Sequence, residues 1–417
     1  MALRQSIIEA VEDVRASYWF LPGLLSVAGL TLGLVLVVVD ARLGDAWLGR
    51  YEWIYGSRPE GARAMLSTIA GSTITVAGVV FSITLAAVTY ASGQFGPRLL
   101  GNFMRDRGNQ ATLGIFIGTY LYCLIVLRTI RSAEETAADS GGAVRDAFVP
   151  HLAMFGGLGL AIASTAVLIY FVHHVTSGIH INNVIARVGR DLIEDIRGRS
   201  EDERGGLAVP TQPSGMITHI AAAKTGYIEA IDLDALLTLA CRHDLVFRPV
   251  RRAGEFVSEG WKLLEVHAQA PMDEQLAGEC RDIVMIGRQR TALQDLRFKI
   301  DELVEIASRA LSPGVNDPFT AIACIDWLGA ALAELDRCPR PRDWLGDGDG
   351  HLRIVLQPLG FEDYLDAAFG QMRSYVAADQ NARTHALALL AEVAAHCRDV
   401  RHRTLIEAER ARYADLA

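Results

Sequence analysis

The chain has 417 residues, 51% hydrophobic and 21% charged, with a mean hydropathy of +0.22 and a formal net charge of −9. Residues 1–180 hold 12 Arg, no Lys and 12 Asp or Glu, so the net charge lies entirely in residues 181–417, with 28 basic and 37 acidic groups. An apolar, neutral first half joined to an acidic second half excludes a simple cytosolic enzyme, and the lack of a basic face argues against nucleic acid as a partner.

Leu3, Ile7, Val11 and Val14 make one apolar helical face, which predicts an interfacial amphipathic helix over residues 1–16. A bilayer core takes roughly 17–25 apolar residues in a helix. Four runs meet that requirement, at 18–39, 65–90, 111–127 and 149–175, inside a transmembrane domain expected over 17–198. The first is too long for a signal-peptide core and reads as mature structure. The 91–110 loop carries Arg98, Arg105 and Arg107 against Asp106 alone, whereas the loops on the other side are near neutral. Basic residues favour the cytoplasmic side, so both termini are expected in the cytoplasm.

The helical period of the fourth run continues through Ile181, Val184, Ile185, Val188, Leu192 and Ile196. It predicts one helix from 149 to 198, about 75 Å long at about 1.5 Å per residue. Gly205, Gly206, Pro210 and Pro213 mark a linker over 199–215. Residues 216–267 change period, with strands around Tyr227-Ile228 and on both sides of Gly254 and Gly260, and a helix over 233–243. This part looks like the two halves of a barrel-sandwich hybrid, the small β-fold of biotinyl and lipoyl domains. No Lys occupies the carrier hairpin, so no prosthetic group is expected.

Residues 268–417 read as a mainly helical cytoplasmic domain. One long helix or two span 276–310 and stop at Leu311-Ser312-Pro313-Gly314; Asp317 as N-cap with Pro318 at the first helical position restarts a helix to about 335. A short strand over 351–356 and helices near 361–376, 381–397 and 401–415 follow. The six cysteines, at 123, 241, 280, 324, 338 and 397, show no C-x-x-C spacing, which excludes a zinc ribbon and suits a reducing compartment. The expected fold is thus a membrane protein. It has an N-terminal four-helix transmembrane domain and a cytoplasmic α+β domain, in which a small barrel-sandwich-like β unit packs with helical layers.

Three segments carry a family resemblance. One is Phe81-Ser82-Ile83-Thr84-Leu85, running on to Gln94-Phe95-Gly96-Pro97-Arg98. Another pairs Gly226-Tyr227-Ile228 with Gly254-Glu255-Phe256-Val257. The third runs from Arg290-Thr291 to Asp295 and then from Arg309 to Pro318. Together they resemble a family of bacterial predicted inner-membrane proteins, domain of unknown function number 2254. The resemblance implies a multi-pass N-terminal part in the bacterial inner membrane and a cytoplasmic C-terminal part. It implies no activity, so function must be read from the residues.

The second run is the most informative. Thr68, Ser72, Thr75, Val79, Ser82, Ala86 and Thr89 recur at alternating intervals of four and three along an uncharged helix. Either these small and hydroxyl residues let helices pack closely, or they line a pore at an oligomer axis with Val79 as an apolar constriction. Gln94 and Arg98 would then stand at the cytoplasmic mouth, Arg98 favouring anions. Arg309, Ser312, Asn316 and Asp317 form either a ligand loop or ordinary turn chemistry. His173, His174 and His180 lack a carboxylate or Cys neighbour in sequence and read as a polar belt rather than metal ligands. Asp347-Gly348-Asp349-Gly350 opens like a calcium loop, but no Glu closes it. With no phosphate loop, nucleophile elbow or metalloprotease motif, no enzyme, metal or cofactor is expected.

A secondary transporter predicts ionisable groups at mid-membrane and inverted symmetry, and the four runs show neither. The residues thus favour a homo-oligomeric ion channel, lined by the second run and embedded in membrane lipid, with a cytoplasmic regulatory domain. The alternative is a membrane-anchored sensor, regulator or scaffold with no pore.

Overall fold

The computed structural model describes residues 18–43, 59–95, 106–131, 148–178, 180–199, 215–339 and 342–416. The interfacial helix expected over 1–16, Arg98 and nearly all of the 199–215 linker lie outside these residues. The chain divides into two compact units, 1–180 and 181–417.

The first unit holds α1 (Phe20–Leu43), α2 (Pro59–Phe95), α3 (Arg107–Thr129) and α4 (His151–Gly178). Helix α3 is the hub: it packs on α1, α2 and α4, and Leu113, Phe116, Tyr122, Cys123 and Val126 are buried. Glycines set the closest approach. A Cβ on Gly29 of α1 would collide with the backbone carbonyl of Gly118 in α3, and one on Gly118 would sit 2.8 Å from the Leu25 carbonyl oxygen. With no apolar driving force between helices in lipid, such backbone proximity supplies the dispersion contact that holds them together.

Several polar groups inside this unit are paired across helices, although the Oδ1 of buried Asn109 has no hydrogen-bond partner among the described residues. Asp40, near the end of α1 and buried, accepts from the backbone N–H groups of Leu152 (3.1 Å) and Ala153 (2.9 Å) in the first turn of α4. Arg63 donates to the Ile130 carbonyl at the end of α3 (2.9 Å). The Tyr122 hydroxyl donates to the Ala153 carbonyl (2.6 Å), and the Thr119 and Ser164 hydroxyls meet at 3.2 Å.

The second unit starts with α5 (Ile181–Arg199), whose buried face is Val184, Ile185, Val188, Leu192 and Ile196. The single helix expected from 149 to 198 is therefore two helices. Helix α4 ends at Gly178, a residue with a high entropic cost in a helix, and α5 belongs to the second unit.

Among the described residues, eight strands make two sheets. β1 (Met216–Ala221), β5 (Lys262–Ala268), β3 (Val246–Pro249), β8 (Leu352–Val355) and β7 (Trp344–Gly346) lie side by side in that order; the second sheet is β4 (Phe256–Val257), β2 (Gly226–Ile231) and β6 (Val284–Gly287). Among the described residues only β3 and β8 pair in parallel. The β unit expected over 216–267 thus takes three further strands from 284–355. The expected helix over 276–310 is broken by β6 into α7 (Glu274–Asp282) and α8 (Leu296–Ala310). Ile228, Val257 and Val284 of one sheet share a core with Ile220, Phe247, Leu264 and Val266 of the other and with Leu236 and Leu239 of α6 (Leu233–His243). Gly254 and Gly260, read as turn glycines, take φ of +88° and +81°.

Helix α9 (Pro318–Arg337) packs on α5, α8 and α12 (Gln380–His396). Gly189 of α5 leaves room for the Trp327 ring. α10 (Phe361–Leu365), a π turn at Asp366–Gly370, α11 (Arg373–Ala378) and α13 (Val400–Asp415) complete the unit. Among the described residues five helices, α1–α4 and α9, are long and apolar enough to cross a membrane, against the four expected.

Replacing Gly29 with Val forces α1 and α3 apart and should cost about 1–3 kcal/mol, read as a lower melting temperature of the detergent-purified protein. Gly23→Ala on the same helix, where a Cβ meets nothing within 4 Å, should not lower it.

Candidate functional site

Helix α2 has two contrasting faces. Leu66, Ala70, Thr73, Ala77, Val80, Thr84 and Val88 are buried. Thr68, Ser72, Thr75, Val79, Ser82, Ala86 and Thr89 are all exposed, Val79 by 52%. The structure therefore brings the seven expected residues onto one surface turned away from the subunit's own helices. Gly71 and Gly78 lie on that surface too, and a Cβ on either would meet nothing within 4 Å. The five hydroxyls are already bonded: Thr68, Thr75, Ser82 and Thr89 donate to the carbonyl four residues back at 2.7–2.9 Å, and Ser72 to Ile69 at 3.0 Å. They need no partner across an interface to be satisfied. Gln94 falls in the last turn of α2.

The Arg309–Asp317 loop resolves into turn chemistry. Ser312 Oγ donates to the Arg309 carbonyl (2.6 Å), Asn316 takes φ of +51°, and Asp317 caps α9 by accepting from the Thr320 amide (3.2 Å) and hydroxyl (2.6 Å). Arg309 pairs with Glu305 (3.2 Å). The Arg309, Ser312 and Asp317 side chains each have a local partner, and Asn316 supplies the left-handed turn.

His174 does have a carboxylate partner, one that sequence spacing hid: its Nε2 lies 2.8 Å from Asp106 Oδ2, and the Tyr170 ring stacks on it. Asp106 also caps α3 through Gly108 N (2.8 Å). His180 lies beyond the end of α4, so His173 and His180 share no helix face.

Asp347, Asp349 and His351 bring ligand atoms within 4.8 Å of one another. Asp347, however, is the hub of the β7–β8 turn. It accepts from the amides of Asp349 (3.1 Å) and His351 (2.9 Å) and pairs with Arg353 (2.9 Å). Burial acts to raise its pKa, but the His351 amide, the Arg353 guanidinium and the Asp349 amide outweigh it and hold the carboxyl below its usual value.

Sequence reading missed a cavity of about 680 Å³ in the second unit. Its wall is assembled from α5, the loop after β3, the start of α8, β7 and the segment after β8, elements far apart in sequence. Arg251, Arg252 and Arg342 line it with Glu194, Asp195 and Asp295. Arg290 forks to Asp295 (2.5 Å) and Asp301 (2.7 Å), and a Cβ on Gly254 would collide with the Asp295 carboxylate. Gly254, Arg290 and Asp295, singled out in the sequence for their family resemblance, therefore meet at the edge of this cavity.

A stack of apolar helices followed by a mixed α/β unit defines a membrane protein, and the family described as predicted membrane protein (DUF2254) matches residues 15–392. The chain belongs to that family. Among its relatives are uncharacterized proteins of Mycobacterium bovis and Mycobacterium tuberculosis, each 31% identical over 406 residues, covering 96% of this chain and 76% of the relative. No solved structure matches it.

A carboxylate held below its ordinary pKa stabilises the fold above the unfolded value, and that stability is lost as pH falls through the folded value. Asp347→Asn should therefore lower the melting temperature at pH 7, and the gap to the parent protein should close toward pH 3.

Proposed function

We propose that this membrane protein is a homo-oligomeric ion channel of the bacterial inner membrane, with α2 on the oligomer axis and the second unit as its cytoplasmic regulatory domain. The observation that carries this reading is the outward face of α2: seven small or hydroxyl positions and two glycines, none used by the subunit's own packing. Glycine and serine on such a face favour close contact between copies. One Val79 per subunit would form an apolar ring, the kind of constriction that gates by dewetting. Arg98 beyond the end of α2 supports an anion bias at the mouth.

In this reading four helices, α1–α4, span the bilayer with both termini in the cytoplasm. Helix α9 is a core helix of the second unit. It carries Asp326, Glu334 and Asp336, and Arg197 and His385 pair with Glu334 (2.8 Å) and Asp326 (2.6 Å). The core shared by the two sheets supports a barrel-sandwich-like unit with a regulatory rather than a carrier role. The chain is taken as a non-enzyme, with lipid and ions as its partners and no nucleic acid or cofactor.

Val79→Ser should raise basal conductance of the reconstituted protein several-fold, and Val79→Phe should abolish it. A monomer in detergent and in lipid, or no current from either variant, would leave the membrane-anchored regulator instead.

Topology is checked separately. In intact cells a membrane-impermeant maleimide should label a cysteine placed at Ser140. It should reach the native, exposed Cys241 only after permeabilisation.

A further inference from the structure

We propose that the 680 Å³ cavity of the second unit binds a nucleoside phosphate. Its volume falls in the range of small-ligand sites, roughly 300–1,000 Å³. Leu233, Leu296, Leu345, Leu356, Leu359 and Tyr364 give it an apolar wall that suits a base.

The lining charges and their partners sum to zero, but donors on two of the lining guanidinium groups lack acceptors. Asp295 is held by Arg290, and Asp195 by Lys299 (2.7 Å). Arg251 and Arg252 share one distant carboxylate, Glu255, at 3.9 and 3.7 Å. Arg342 makes no ion pair or hydrogen bond among the described residues. The Arg342 Nη1 and Arg251 Nε donors are buried without an acceptor. A buried charged donor without an acceptor is unfavourable, and an anion with several oxygens supplies acceptors for guanidinium groups of this kind. Glu194 remains on the lining as an acceptor for sugar hydroxyls.

A phosphate ion alone leaves the apolar wall unused, and a nucleoside alone leaves the arginines unmet, so the two halves of the site call for one molecule that carries both. The site stands on its own residues and does not depend on whether α2 conducts.

The test is equilibrium binding to the full chain in nanodiscs. The probes are the four common ribonucleoside monophosphates and triphosphates, with adenosine and inorganic phosphate as the half-ligands. At least one nucleotide should bind at least tenfold tighter than either half-ligand. Arg342→Ala and Arg251→Ala should each weaken it tenfold or more, and Arg412→Ala, remote from the cavity, should not. Arg342→Gln, which keeps a donor but not the charge, covers the case in which the alanine variant fails to fold, and should also weaken binding. The proposal is overturned if no nucleotide binds, if adenosine or phosphate binds as tightly, or if affinity survives in a folded Arg342 variant.

Discussion

Polar groups that enter the apolar part of this protein are costly unless they find a partner there, and that constraint shapes the first unit. In hydrocarbon an unpaired N–H or C=O costs several kcal/mol. The open ends of helices are the weak points, because the first four N–H and last four C=O groups have no partner within the helix. Asp40 answers this for α4 and Arg63 for α3. In each case the charged side chain comes from a neighbouring helix, so capping and tertiary packing are one interaction. Asp40 also places its negative charge at the positive end of the α4 dipole.

The second unit solves a different problem, which is to join two sheets and a helical layer. Arg290 is the fastener. Burial opposes its charge, but Asp295 and Asp301 outweigh that and raise its pKa above the usual guanidinium value. Asp295 in turn caps α8 through the Arg297 amide (3.0 Å) and closes over Gly254 in the turn before β4. One guanidinium thus fixes the start of a helix against the turn of a sheet. Both sides of that joint line cavities, so the joint also sets where the arginines of the larger one stand.

Much of this was legible in the sequence, for reasons that differ by element. The α1–α4 runs announced themselves by length and composition, and the α6 helix, the Asp317 cap and the positive-φ glycines by local chemistry. Gly226–Ile228 and Gly254–Val257, grouped together in the sequence, pair across β2 and β4, Gly226 opposite Val257 and Tyr227 opposite Phe256. What could not be read was long-range. The parallel pairing of β3 with β8 joins residues about a hundred positions apart. The Asp106–His174 contact and the cavity likewise depend on chain paths that periodicity does not encode. The 149–198 helix failed for a subtler reason: its apolar period does continue through Gly178, and period alone cannot see a break that preserves the phase.

The stripe on α2 shows why exposure and polarity have to be weighed separately. Its hydroxyls fold back on their own helix, so they tolerate lipid, a protein neighbour or water almost equally, and polarity does not choose among these. Shape is more selective. Gly71 and Gly78 bare the backbone along a surface that nothing in the subunit covers. Lipid tails fill such a groove less well than a second helix does. Helices brought together by that groove in a closed ring would turn the same face toward the axis. The residue sizes therefore favour a neighbouring helix over lipid on that face, which is the ground for the proposed assembly of copies; in such a ring, how closely the glycines let α2 approach its neighbour would decide whether Val79 meets water or another Val79.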